Sequence, residues 1–170
     1  MQNILINLKK EIFPLSLILI LIISRLIPHP PNFTPIISVA IISSYFFKDK
    51  FLSILVLMIS MILSDFLIGF HKNIFFVYLS LVTITLVFYN LREKINFKSM
   101  FLFGFFGSLI FYLISNFGVW ILGTMYEKNF SGLLNCYIMA IPFFKNTFLS
   151  TLFFSYTVLV VDSLYRKKFI

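Results

Sequence analysis

The sequence predicts an all-α membrane protein: one domain, residues 1–170, folded as a bundle of six transmembrane helices. Composition indicates the class, because 60% of the residues are hydrophobic, only 12% are charged and the mean hydropathy is +1.00. A soluble single domain does not tolerate such a surface. The second observation is that charged residues and prolines divide the chain into six apolar runs, at 13–27, 36–47, 51–68, 74–89, 100–123 and 142–164.

The runs differ in how well their lengths fit a bilayer, since a crossing helix needs about 20 residues, or about 17 at the short end. The first run follows two lysines, and because no small-x-small cleavage site comes after Ser24, we expect a retained first helix and not a signal peptide. The second run has only 12 residues between Pro35 and Lys48, so its length also fits a re-entrant segment or a short helix buried against its neighbours. Residues 124–141 are too polar for a crossing and predict an outer loop that serves as a lid.

The distribution of charge gives the topology only weak support. With both termini cytoplasmic, six crossings place ten of the fourteen Lys and Arg inside and four outside. If the second run does not cross, the numbers are nine and five. Six crossings are favoured because five would separate Arg25 and Asn32 from Asp65 and Asn116, and each group would then need its own partner in or near hydrocarbon. We therefore expect a multi-pass membrane protein with both termini in the cytoplasm.

The candidate ligand-binding residues are the polar side chains that this topology collects at the outer face. Ionisable and amide groups at membrane depth are costly, so a cluster of them is a functional-site hypothesis. The candidates are Arg25, Asn32, Asp65, His71, Asn116, Trp120, Tyr137, Lys145 and Asn146.

Asp65 is the acid that lies well inside an apolar run. It follows the start of the third run by fourteen residues, which corresponds to roughly 21 Å of helix. An acid at the centre of a crossing helix costs about 2.5–3.5 kcal/mol on insertion scales, so Asp65 needs a partner, and Arg25 reaches a similar depth on the first run. Two interpretations remain open: an Arg25–Asp65 ion pair that fixes helix packing, and a role for both groups in ligand binding.

The fifth run carries Gly104, Ser108, Tyr112, Asn116 and Trp120 at intervals of four residues. The small residues permit close helix contact, whereas the tyrosine, amide and indole can hydrogen bond and stack. A tryptophan at an interface is most often a membrane anchor, but an unsatisfied amide one turn deeper is costly and needs a partner.

The sixth run begins with Pro142, which suits the first turn of a helix. Lys145 and Asn146 follow directly, and the positive end of a helix favours an anionic group nearby. The alternative for Lys145 is a side chain that reaches outward to the lipid headgroups.

No motif for catalysis, a metal or a cofactor is present. The sequence lacks a G-x-S-x-G elbow and a Walker loop, and His29 and His71 do not have the spacing of a zinc helix. One cysteine, Cys136, excludes an internal disulfide and is expected to be a small buried apolar residue. The net charge of +8 is scattered between the apolar runs, so the lipid bilayer is an expected partner and nucleic acid is not.

Several segments resemble an uncharacterised bacterial family of putative transport proteins related to the substrate-binding S components of energy-coupling factor (ECF) transporters. The resemblance runs from about Arg25 to the sixth run and is carried by Pro30 to Pro35, Ser64-Asp65 with Gly69 and His71, Asn116 to Trp120, and Gly132 to Asn146. It implies a six-helix bundle in the bacterial cytoplasmic (inner) membrane that captures a vitamin-like or other small solute at the outer face, with import driven by a transmembrane T component and cytoplasmic ATPases. S components typically dock on the T component through an alanine-x-x-x-alanine surface in the first helix, which this chain lacks. The closest small-residue pair is Ala40 with Ser44 in the second run.

A second hypothesis is a non-transporting membrane scaffold, such as a cell-shape-type protein, in which the polar cluster only locks helices together. That hypothesis predicts a collapsed outer end with every polar group paired internally. A cavity of ligand size, roughly 300 Å³ or more, counts against it.

Overall fold

The computed structural model describes the backbone of residues 2–169 and the side chains of residues 14–164, and within these limits the secondary structure is entirely helical. The seven α-helices are α1 (Gln2–Leu26), α2 (Ile36–Phe47), α3 (Lys50–Ile68), α4 (Ile74–Asn90), α5 (Phe97–Leu122), α6 (Phe130–Met139) and α7 (Ile141–Phe169), with a short 3-10 helix at Arg92–Lys94. The predicted all-α class is confirmed, and each of the six apolar runs corresponds to a helix of its own.

The two terminal helices extend beyond the apolar runs that predicted them. α1 begins at Gln2 and not at residue 13, and α7 continues to Phe169. The added segments contain lysine, glutamate and arginine, which have good helix propensity, so the helices continue where the apolar runs stop.

α6 lies within the segment that the sequence predicted to be an outer loop. Asn129 caps its first turn by accepting a hydrogen bond from the backbone N–H of Gly132 at 2.8 Å. Polarity excluded residues 124–141 from the membrane crossings, but it did not exclude a ten-residue helix that packs against α5 and α7. The loop prediction is therefore corrected to a loop, a short helix and a sharp turn into α7.

α2 occupies the centre of the bundle, where it packs against α3, α4, α5 and α7. Most of its residues are buried, among them Ile37, Ala40, Ile41 and Ser44. A 12-residue helix is about 18 Å long, and protein surrounds it on most sides, so it does not need to match the bilayer. Because Ala40 and Ser44 are fully buried, they do not form an exposed surface for a partner helix.

Small residues of α5 permit close helix contacts, as the spacing of Gly104 and Ser108 predicted, and Gly107 adds a further contact. A side-chain carbon at Gly104 would collide with Leu152 of α7, and one at Gly107 would collide with Ile41 of α2. Ser108 hydrogen bonds to Thr151 of α7 at 3.4 Å. α5 is thereby held against both the central helix and α7.

Three helical stretches are long and apolar enough to cross a membrane, namely Lys50–Ile68, Phe97–Leu122 and Ile141–Leu164. Four other apolar helices are shorter, namely Pro14–Leu26, Ile36–Phe47, Ile74–Asn90 and Phe130–Met139. Large hydrophobic side chains are exposed along these helices, as expected where lipid and not water is the solvent. The chain is a membrane protein.

Candidate functional site

The predicted polar residues lie near one end of the bundle, which we call the polar end. It is formed by the last turns of α1, α3 and α5, the first turns of α2, α4 and α7, and the segments that join them, including α6. Hydrogen bonds across this end connect α4 to α5, from Asn73 to the carbonyl of Ser115, and α7 to the α1–α2 connection, from Asn146 to the carbonyl of Pro31.

The centre of the polar end is a charged network between α1, α3 and α4. Arg25 Nη2 lies 2.5 Å from Asp65 Oδ1, and the Tyr78 hydroxyl donates to Asp65 Oδ2 at 2.7 Å. The other guanidinium nitrogen, Nη1, donates to the hydroxyl of Ser64 and, at 3.4 Å, to the carbonyl of Met61. Asp65 is 2% exposed and Arg25 16%. The predicted ion pair is present, and together with the Tyr78 hydroxyl it satisfies both oxygens of the buried carboxylate.

Two adjoining cavities open beside this network. The amide cavity, of about 380 Å³, lies between α5, α6 and α7, and its polar lining includes Asn73, Ser115 and Asn116. The arginine cavity, of about 300 Å³, lies between α1, α2 and α3, and its lining includes Arg25, His29 and Thr34. The two cavities share four lining residues, which are Asn32, His71, Val77 and Phe111. Both volumes reach the range of small-molecule sites.

Several polar groups that line the amide cavity make no hydrogen bond to the described part of the chain. Asn116 uses its Nδ2 to donate to the carbonyl of Tyr112 at 2.8 Å, which leaves its Oδ1 without a protein partner. The side chains of Asn32 and His71 line both cavities and likewise have no hydrogen bond among the described residues. Asn32 adopts a left-handed backbone conformation, φ 62°, that asparagine tolerates better than most residues. These groups are available to a ligand.

The structure therefore brings four of the nine candidates to the cavities: Arg25, Asn32, His71 and Asn116. Asp65 is buried behind Arg25 and does not line either cavity. Lys145 is exposed and lines neither, and Asn146 binds Pro31 instead. Spacing along a helix gives the depth of a side chain, but its direction depends on how the helix is rotated in the bundle.

Trp120 and Tyr137 have partners outside the cavities. The Trp120 indole Nε1 donates to the carbonyl of Glu127 at 2.9 Å, and the amine of Lys128 lies 5.6 Å from the centre of its ring. The Tyr137 hydroxyl donates to the carbonyl of Leu113 at 2.8 Å. Both side chains fasten the α5–α6 connection and α6 to α5, so they shape the mouth of the amide cavity without lining it.

α6 is held to α5 by two tyrosines that bond in opposite directions. Tyr112 of α5 donates to the carbonyl of Tyr137 at 2.5 Å, while Tyr137 donates back to α5, and the two rings lie 5.4 Å apart. Cys136, next to Tyr137 on α6, lines the amide cavity, is 2% exposed, and its Sγ is 3.5 Å from the carbonyl of Asn116. Burial raises the pKa of the Cys136 thiol, so the thiol is poorly reactive in this arrangement.

Sequence reasoning missed Tyr78, Asn73 and Phe111. Tyr78 lies four residues into α4, about 6 Å from its start, and Asp65 lies three residues before the end of α3, about 4.5 Å away. The two helices are consecutive and antiparallel, so this match in depth was a signal available in the sequence. Asn73 and Phe111 gave no such signal, because an amide at a helix start and one phenylalanine among 24 are both common.

No group of three or more His, Cys, Asp or Glu residues with the geometry of a metal site occurs among the described residues. The two cavities instead offer amides, imidazoles, hydroxyls and aromatic rings. Such a lining binds and orients small molecules by hydrogen bonds and ring contacts.

Fold and composition define a helical membrane protein with two adjoining cavities at one end of its bundle. Residues 6–169 match the model of a family described as "Family of unknown function (DUF6580)", and the chain belongs to that family. No curated protein and no solved structure matches the chain.

Proposed function

We propose that this protein is an integral membrane solute-binding subunit of ECF type, which captures a small solute at the outer face of a bacterial inner membrane for import. The observation that carries the proposal is the pair of adjoining cavities at the polar end, of about 380 and 300 Å³, with unpaired polar groups in their linings. One group in the lining, Asn73 Oδ1, is buried and has no hydrogen-bond partner among the described residues, which a packing role alone would not leave next to a ligand-sized cavity.

In this proposal all six long helices cross the membrane, with both termini in the cytoplasm and the polar end outside. α2 supplies the short crossing because its neighbours cover it, and residues 28–35 enter the bundle far enough for Pro35 to be buried. α6 lies over the amide cavity and acts as the lid. The chain carries no nucleotide-binding motif, so import depends on a T component and cytoplasmic ATPases, as the resemblance to S components implies.

The scaffold alternative draws support from one observation, the Arg25–Asp65–Tyr78 network. Both oxygens of Asp65 and both terminal nitrogens of Arg25 are paired within the protein, and the network links three helices. A scaffold role accounts for this network but gives no account of the cavities.

The test of the proposed function is extraction of the full chain from its own membrane, followed by mass spectrometry of small molecules that remain bound. The solute identified in this way is then used in an uptake assay in cells that carry wild type, Asn116→Leu or the matched control Asn135→Leu. Asn135 is exposed on α6 and does not line either cavity. We expect a bound solute, and uptake that falls in Asn116→Leu but not in Asn135→Leu. A protein that carries no small molecule would favour the scaffold, and so would uptake of a recovered solute that neither variant alters.

A further inference from the structure

The charges around the two cavities restrict the kind of solute that fits them. Arg25 carries the fixed charge in the linings of the two cavities, and the described lining contains no carboxylate. The guanidinium is already compensated by Asp65 at 2.5 Å and also bonds to Ser64 and Met61. A charged solute would therefore enter a largely apolar space without an uncommitted counter-ion, which is strongly unfavourable.

The other hydrogen-bonding groups of the two cavity linings also favour an uncharged solute. The amides of Asn32 and Asn116 are uncharged groups that present both donors and acceptors, and the imidazole ring of His71 adds two nitrogen atoms that can form hydrogen bonds. Asn116 Oδ1 in particular is an acceptor that lacks a protein donor among the described residues. These groups suit a solute whose own edge carries both N–H or O–H donors and carbonyl or ring-nitrogen acceptors.

The aromatic walls of the amide cavity favour a solute that contains a ring. Phe111, Tyr112, Phe143 and Phe144 line it, and the rings of Tyr112 and Phe144 meet edge to face with centres 5.3 Å apart. Aromatic walls in such arrangements contact a flat ring over a large area and favour stacked or edge-to-face geometry.

We propose that the solute is an uncharged, ring-containing molecule with an amide-like hydrogen-bonding edge, whose ring lies in the amide cavity and whose edge faces Asn116, Asn32 and His71. This inference rests on the proposed function and adds the chemical class of its solute. In this inference Arg25 and Asp65 have a structural role in the site. Arg25 forms part of one wall of the arginine cavity, and Asp65 compensates its charge and holds its side chain in place.

The test uses three probes of nearly the same shape that differ in charge: naphthamide, naphthoate and naphthamidinium. Binding to the full chain in lipid nanodiscs is measured by equilibrium dialysis and by the shift in thermal stability. We expect naphthamide to bind at least about tenfold more tightly than either charged probe, because each charged probe loses its hydration without gaining a counter-ion.

A matched variant, Asn116→Asp, changes the charge of the cavity and almost nothing of its shape. Naphthamide affinity should fall in this variant and naphthamidinium affinity should rise, because a carboxylate then stands where the amide was. Tighter binding of naphthoate or naphthamidinium than of naphthamide to wild type would overturn the inference, and so would failure of all three probes to bind.

The solute recovered from natively extracted protein gives a second measurement that separates this inference from the proposed function. A neutral ring compound supports both. A charged or open-chain solute overturns the inference and leaves the proposed function standing. Protein that carries no solute and binds none of the probes overturns both.

Discussion

Removal of the Asp65 carboxylate is the sharpest test of how the polar end is built. In Asp65→Ala the Arg25 guanidinium loses its counter-ion, and Tyr78 loses its acceptor. Breaking a buried ion pair from one side costs about 3–5 kcal/mol. Arg25 is 16% exposed and borders a cavity, so water can replace part of the lost interaction and the cost falls near the lower end, about 3 kcal/mol.

The assay is thermal unfolding of the full chain in detergent, read as the fraction that remains monodisperse after heating. For a chain of this size, a loss of 1 kcal/mol lowers the Tm by about 2–4 °C, so Asp65→Ala should lower it by about 6–12 °C. The double variant Arg25→Met with Asp65→Leu removes both charges and keeps similar volume. We expect it to recover most of the loss, because no uncompensated charge remains.

The matched control is the exposed ion pair on the other side of the bundle. Arg92 Nε lies 3.5 Å from Glu93 Oε1, and the Glu93 side chain is 82% exposed. Glu93→Ala should change stability by no more than about 0.5 kcal/mol, since exposed pairs contribute little. A fall of less than about 2 °C in Asp65→Ala, or a double variant less stable than the single one, would refute the reasoning.

Three further variants test the site and its cover. Asn116→Leu should weaken solute binding by about tenfold with little change in Tm, because it removes a cavity-facing amide whose own protein bond is local. Gly118→Ala should destabilise by about 1–3 kcal/mol in the same thermal assay, since a methyl group at Gly118 would collide with the Asn73 side chain. Tyr137→Phe removes the bond to α5, worth about 1 kcal/mol, and should speed amide hydrogen exchange in α6 by roughly fivefold. Alkylation of Cys136, slow in wild type because burial raises the pKa of its thiol, should speed up in the same variant.

These three predictions fail in distinguishable ways. Unchanged affinity in Asn116→Leu would mean that the Asn116 amide does not bind the solute. A large fall in the Tm of this variant would mean that Asn116 contributes mainly to packing. Wild-type stability in Gly118→Ala would mean that α4 and α5 can separate at no cost. Unchanged exchange and alkylation in Tyr137→Phe would mean that the bond to α5 does not hold α6 in place.

The sequence was sufficient for those features that depend on hydropathy and depth. Apolar runs gave the all-α class and the approximate position of each long helix, and the matching depths of Arg25 and Asp65 gave their ion pair. Both depend on position along one helix axis, which a sequence contains directly.

Features that depend on the rotation of one helix against another could not be obtained in this way. Trp120 and Asn116 are one helical turn apart on α5, yet only Asn116 lines a cavity, because four residues advance the direction of a side chain by about 40° beyond a full turn. Tyr137 was predicted to bind a ligand because it is polar, but the carbonyl of Leu113 takes its hydroxyl. α6 was missed because ten residues that include Gly132 and Asn135 give only a weak helical signal.

The position of α2 has a consequence for how the protein is made. A helix of 12 residues is too short to be held in a bilayer by its own hydrophobicity, and lysine and aspartate follow it directly at Lys48 and Asp49. Yet α3, α4, α5 and α7 pack around it. We therefore expect α2 to enter the membrane as a hairpin with the longer α3 and to become stable only after α4 and α5 are synthesised. A ribosome stalled before α4 should leave α2 accessible from the aqueous side. The central helix of the bundle therefore reaches its stable position only after the helices around it have been made.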